Sequence, residues 1–251
     1  MVKAIMHGCN GHMGRVISGI VENDANIEIV AGVDPFDNGT NKYPVFPSIG
    51  ECNVEADVII DFAAASAIDA LLDYSVSRQI PVVLCTTGLS EAQIAKVNET
   101  SKKVAVLRSA NMSLGINLLL KLVKEAAAKL CDEGFDVEIV EKHHHLKKDA
   151  PSGTALALAD SINEEMNEKY HYIYDRSTKS EKRDCLEIGI SSVRGGNIVG
   201  DHDVIFAGED EVVTFSHSAY SKAVFGKGAV SAAKFLAGKP AGLYNMQDVI
   251  G

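Results

Sequence analysis

No two of the five cysteines in this 251-residue chain stand at C-x-x-C spacing; Cys9, Cys52, Cys85, Cys131 and Cys185 are odd in number and scattered along it. That argues against a disulfide framework and a zinc ribbon and for reduced thiols. Also missing is any apolar run near the roughly 18 to 20 residues a membrane helix needs, and the opening MVKAIMHGCNGHMG has no apolar h-region of a secretory signal. The expectation is a cytoplasmic address with no membrane partner. Positive charge is scarce as well, with 24 Lys and Arg against 34 Asp and Glu and a formal net charge of -10. Nucleic acid is therefore not an expected partner, because binding it usually takes an extended basic face. What the chain does have is 46% hydrophobic residues, enough to bury one large or two modest domains.

Over the first hundred or so residues, short β-rich runs alternate with helical patterns. Strands are expected at residues 2–7, 27–33, 57–61, 81–85 and 104–107, and helices at 14–22, 64–78 and 91–101. Such alternation implies a parallel sheet with helices on both faces. Residues 35–52, with Gly, Pro and Asn, read as a surface excursion. After Asn111 the pattern changes. Ser113 is a candidate N-cap for a helix to Leu130 whose apolar stripe carries Leu118, Leu122 and Val123. A strand at 137–140, a helix from Ser152 to about Asn167, and strand-like sequence from 186 to 214 follow, with turns expected at 195–196, 200–201 and 208–210. Residues 223–236 are helical again. The expected fold class is α/β, a Rossmann-type doubly wound parallel sheet plus a second α+β domain with a mixed sheet. The expected division is 1–111 with 221–251 for dinucleotide binding, and 112–220 for substrate binding and oligomerisation.

Between the first strand and first helix lies Gly8-Cys9-Asn10-Gly11-His12-Met13-Gly14, spaced G-x-x-G-x-x-G. The middle glycine is displaced by one from the usual dinucleotide fingerprint, so the motif draws its weight from context. Asp34 ends the second strand roughly 20 residues on, where a carboxylate accepts from a ribose hydroxyl. A tight turn and a capped strand end without a nucleotide would use the same residues. A carboxylate repels a 2′-phosphate, Pro35 follows it, and the nearest lysine is Lys42, so NADH is favoured over NADPH as cofactor.

The most concentrated signal is EKHHHLKKDAPSGTA, from Glu141 to Ala155. Lys142, His143, His144, His145, Lys147 and Lys148 form a cationic island in an acidic protein, followed directly by a helix start. Side-chain charge and helix-start amides would converge there on a small carboxylate or phosphate. On a strand His143 and His145 would share a face, which limits this run to two metal ligands, and no finger-like spacing supplies the rest; no metal is expected. A solvated charge run is the bland alternative. Pro151 suits a first-turn position, Ser152 and Thr154 can cap or bind, and Gly153 admits an oxyanion to the backbone. Histidine titrates near neutral pH, so His143 or His144 can exchange a proton, and Lys147 in cationic surroundings is a second candidate acid. Beside a nicotinamide domain, this suggests hydride transfer to an unsaturated carboxylate-bearing substrate. A dinucleotide-sensing module without turnover and a different small-carboxylate oxidoreductase remain as rivals.

The stretch VEIVEKHHHLKKDAPSGTALALA resembles the signature of the dihydrodipicolinate reductase (4-hydroxy-tetrahydrodipicolinate reductase) family of diaminopimelate and lysine biosynthesis. The resemblance extends to the glycine loop, Thr86-Thr87-Gly88, Ser109-Ala110-Asn111-Met112-Ser113, Arg194-Gly195-Gly196 and Ile198-Val199-Gly200-Asp201-His202. It implies His143 as proton donor or acceptor, Lys147 as proton donor, and His144, Gly153 and Thr154 as substrate-binding residues. It also implies cofactor contacts at Gly8, Cys9, Asn10, Gly11, His12, Met13, Asp34, Cys85, Thr86, Thr87, Ser109, Ala110, Asn111 and Met112. The implied activity is reduction of a cyclic imine dicarboxylate with loss of water by NADH or NADPH, in a homotetramer. His145 and Lys148 are auxiliary in this resemblance.

Overall fold

A computed structural model of the chain describes residues 1–37 and 39–251. In chain order the elements are β1 (Val2–His7), α1 (His12–Val21), β2 (Ile27–Val33), β3 (Val45–Phe46), β4 (Val58–Asp61), α2 (Ile68–Arg78), β5 (Val82–Leu84), α3 (Glu91–Ser101) and β6 (Ala105–Arg108). Then come α4 (Leu114–Leu130), β7 (Asp136–His143), α5 (Gly153–Glu165), β8 (His171–Tyr174), β9 (Glu187–Arg194), β10 (Gly200–Ala207) and β11 (Val212–Ala219). The chain closes with α6 (Ala223–Leu236), β12 (Gly242–Tyr244) and α7 (Met246–Ile250). It divides into two compact units, Met1–Leu114 with Ala223–Gly251, and Gly115–Lys222. Among the described residues no helix is long and apolar enough to cross a membrane.

The first unit is built on a seven-stranded sheet of order β12-β6-β5-β4-β1-β2-β3, parallel at every pairing. Strand alternation sends Ala4, Met6, Ile60 and Leu107 into one core with Ile17 and Val21 of α1 and Val230, Ala233 and Leu236 of α6. Ile5, Ile59, Val82 and Val106 point the other way, against Ile68, Leu71 and Leu72 of α2 and Val97 of α3. Both faces are thus covered, which explains why these strands are apolar throughout. At α3 a Ser90–Gln93 capping box fixes the first turn. The segment expected to be a mere excursion, residues 35–52, contributes the edge strand β3 and a 3-10 turn at Ile49–Glu51; Asn38 within it lies outside the described residues. The helix expected from residue 64 begins at Ile68, after a 3-10 turn at Ala65–Ala67.

The second unit has a five-stranded mixed sheet of order β11-β10-β7-β9-β8, with β10 antiparallel to both β7 and β11 and the other pairs parallel. One face packs on α4 and α5, with Val137, Ile139, Ile188, Val204 and Phe206 against Ile116, Leu119, Val123, Leu158 and Ile162. Three expectations are corrected. Leu118 and Leu122 are 49% and 37% exposed rather than in the buried stripe, which runs through Ile116, Leu119, Val123 and Ala127. Gly200 and Asp201 are not a turn but the first ladder positions of β10, opposite Ala219 and Ser218. Pro151 precedes the helix instead of entering it, because Ser152 is the N-cap of α5.

Candidate functional site

In the first unit a cavity of about 460 Å³ opens beside the carboxyl ends of β1, β2 and β4, with His7, Gly8, Gly11, Asp34, Phe62 and Ala63 among its walls. Gly8 turns at φ +82°, and a Cβ there would lie 2.8 Å from the Phe62 carbonyl oxygen; one on Gly14 would lie 2.3 Å from the Gly8 carbonyl oxygen. The loop closes on α1 only because both residues lack side chains. Gly11 is the N-cap and supplies no side-chain cap, so the first-turn amides of His12, Met13 and Gly14 have no intrahelical acceptor. A dinucleotide pyrophosphate fits this cradle, with amides at the positive end of a helix and no Cβ in its path.

Asp34 accepts from the Asn10 amide through Oδ2 and from the Phe36 amide through Oδ1, each at 3.1 Å. A carboxylate has about four acceptor positions, so room remains for ribose hydroxyls. Lys42 pairs with Glu22 at 3.1 Å. Thr86, Thr87, Ser109 and Ala110 follow β5 and β6, at the same end of the sheet, and the Asn111 side chain accepts from the Ser113 amide at 2.8 Å, where α4 starts. Cys9 and Met112 are buried in the core under the sheet, so any share they take in cofactor binding falls to their backbones. Burial, with Asp34 nearby, pushes the Cys9 thiol up to about 11, and burial likewise raises that of Cys85. One group had no motif to announce it. Asp61, at the end of β4, meets His7 Nδ1 at 2.7 Å through Oδ1 and receives the Thr86 hydroxyl at 2.6 Å through Oδ2. This buried carboxylate ties the ends of β1 and β4 to the loop that carries Thr86.

In the second unit the strand carrying the basic run stops at His143, so His144 and His145 lie in the turn that follows, and the shared strand face expected for His143 and His145 does not form. His143 is 8% exposed and His144 half-buried, with its Nδ1 unpartnered; His145 is exposed, its Nδ1 2.9 Å from the Gly196 carbonyl oxygen. Lys147 does not sit among cations alone: its ammonium pairs with Asp149 at 2.9 Å, and that bond holds the Asp149 carboxyl below the usual range. Ser152 Oγ accepts from the Ala155 amide at 3.1 Å, and Gly153 and Thr154 form the start of α5.

The centre of this arrangement is Glu141, whose side chain is 0% exposed. Arg194 donates to both of its oxygens at 2.7 and 2.8 Å, the Ser152 amide donates to Oε1 at 3.1 Å, and His143 Nδ1 lies 2.5 Å from Oε2. Burial alone would raise this carboxyl, but hydrogen bonds from Arg194, Ser192 and His143 outweigh it and hold Glu141 at about 2. His202 closes the cluster. Its ring meets that of His143 edge-on at 5.2 Å, its Nε2 is 3.0 Å from Ser152 Oγ, and burial followed by the neighbouring His143 lowers it to about 4. Sequence reasoning passed over Glu141 and His202 as site residues. The register places Arg194 opposite His143 and His202 opposite Glu141.

The parallel sheet with its uncapped glycine turn and acid-ended second strand, and the mixed sheet with a histidine-bearing strand end and a helix start, define a two-unit NAD(P)H-binding oxidoreductase. Models of the dihydrodipicolinate reductase N-terminus and C-terminus match residues 2–112 and 115–250. The chain therefore belongs to the dihydrodipicolinate reductase family. It is 55% identical to a 4-hydroxy-tetrahydrodipicolinate reductase of Caldanaerobacter subterraneus subsp. tengcongensis, over 100% of this chain and 98% of the relative. It is 49% identical to that of Clostridium novyi, with the same coverage. The fold also matches that of a dipicolinate-bound dihydrodipicolinate reductase from Paenisporosarcina sp. TG-14, with TM-score 0.84, 24% identity and 100% of both chains covered.

Proposed function

We propose that this protein reduces 4-hydroxy-tetrahydrodipicolinate to tetrahydrodipicolinate with loss of water, in diaminopimelate and lysine biosynthesis. The observation that carries the reading is the second unit's cluster, in which an imidazole backed by an ionised carboxylate stands at a strand end linked through Ser152 to the start of α5. A nicotinamide cofactor, when bound, supplies the hydride, which is delivered to C4 of the substrate ring. His143 exchanges a proton with the reacting ring, and Lys147, tethered by Asp149, donates a second. The substrate's carboxylates are held by His144, Gly153 and Thr154, where helix-start amides favour negative charge.

In the first unit the glycine loop, Thr86-Thr87 and residues 109–112 take the dinucleotide, and Asp34 takes the adenosine ribose. NADH is the preferred form, because Asp34 would repel a 2′-phosphate and Lys42, the nearest lysine in sequence, is engaged with Glu22. Five free thiols suit the reducing cytoplasm. Partly exposed Val193 and Val212 on the second unit's sheet suit a subunit contact in a homotetramer.

The test is oxidation of NADH and of NADPH followed in parallel against a panel of the cyclic dicarboxylate, keto acids and aldehydes. Turnover with the cyclic dicarboxylate, at least tenfold more efficient with NADH, is expected. Turnover confined to keto acids, or NADH binding with no turnover at all, would contradict the reading.

A further inference from the structure

The buried cluster around Glu141 goes beyond supplying a histidine. An ionised carboxylate only accepts hydrogen bonds, so the hydrogen in its 2.5 Å contact with His143 sits on Nδ1. The other ring nitrogen, Nε2, takes no hydrogen bond from the described residues, and it stays uncovered beside Gly200 because a Cβ there would come within 3.1 Å of it. Glu141 cannot swing to release Nδ1. Both its oxygens are held by the Arg194 fork, and Oε1 also takes the Ser152 amide. Arg194 in turn donates to the Asp149 carbonyl oxygen at 2.6 Å, which joins the same clamp to the turn that carries Lys147.

We propose that Glu141, clamped by Arg194, is the positioning residue of the proton-transfer histidine: it fixes neutral His143 as the Nδ1–H tautomer and presents the Nε2 lone pair to the reacting ring. The proposal rests on the reading that His143 handles a proton. The groups facing His143 are Glu141 on its own strand, Arg194 on β9, and His202 on β10, with Asp201 and His217 around His202. Of these only Glu141 touches Nδ1. In Glu141→Gln the amide oxygen is the better acceptor for the guanidinium, which leaves the amide NH2 facing Nδ1. The ring must then accept at Nδ1 and carry its hydrogen on Nε2. The same shape persists with the wrong tautomer.

The experiment has two readouts. Long-range ¹H–¹⁵N correlation spectra of the histidine rings, recorded without substrate at alkaline pH where imidazoles are neutral, assign the tautomer of His143. The Nδ1–H form is expected in the native protein and the Nε2–H form in Glu141→Gln. Steady-state kinetics should show kcat reduced roughly 100-fold in Glu141→Gln, as expected for a lost proton-transfer geometry, with KM changed less than about threefold and at least tenfold recovery in Glu141→Asp. A native Nε2–H ring, or Glu141→Gln with native kcat, overturns the proposal. If Glu141→Gln fails to fold, the native spectrum alone decides. Because that spectrum needs no turnover, its failure is distinct from failure of the reductase reading, which the substrate panel addresses.

Discussion

His202 is the residue whose burial carries the clearest pH signature. It is 4% exposed, and burial, reinforced by His143, lowers it from the ordinary histidine range to about 4. The folded protein therefore resists protonating a group that the unfolded chain protonates readily below about pH 6.5. Its contribution is fully present above pH 6.5 and is lost as pH falls toward 4, on the order of 3 kcal/mol in all. Glu141 acts in a lower window. With its carboxyl held at about 2, its contribution is present above about pH 4.5 and is lost as pH drops through 2. Urea unfolding at pH 7, 6, 5 and 4.5 should show the native protein losing stability faster than His202→Gln over that range. Equal slopes for the two would contradict this account. Arg194 shows the other side of a buried pair: Arg194→Ala strands an ionised Glu141 and should destabilise by about 3 kcal/mol, read from the same unfolding curves.

At the scale of elements, α5 is held at its start by Ser152, whose hydroxyl caps the helix and also meets His202. Ser152→Ala should cost about 1 kcal/mol for the cap, lowering Tm by about 2–4 °C in a scanning calorimeter. Elements with their own local signals were legible in sequence. The helix expected at 91–101 is α3 to the residue, its start set by Ser90 and Gln93, and that at 223–236 is α6. Strands β3, β8 and β12 were not, because each runs two to four residues and is defined by the neighbour it pairs with, not by a period of its own. In α4 the run LGINLLLKLV is apolar on more than one side, so periodicity could not choose the buried face; packing on the sheet chose Ile116, Leu119 and Val123. The residues named for the strand end and helix start were legible because they fall in one short stretch. Glu141 belongs to that stretch too, yet its role appears only when strand pairing brings Arg194 and His202 to it.

For the molecule as a whole, the proposed function divides the work between the two units, dinucleotide binding in the first and proton and carboxylate handling in the second. Each half therefore fails separately. Gly14→Val, which sets a side chain against the Gly8 carbonyl oxygen, should weaken NADH binding in a fluorescence titration while the second unit's His143 resonances stay in place. The most direct test of the central claim runs the other way, by measuring turnover of the cyclic dicarboxylate and the NADH Kd in His143→Ala and Lys147→Ala. The account predicts kcat reduced by roughly 100-fold or more in each, with the Kd within about twofold of native. Near-native kcat in both variants would contradict it.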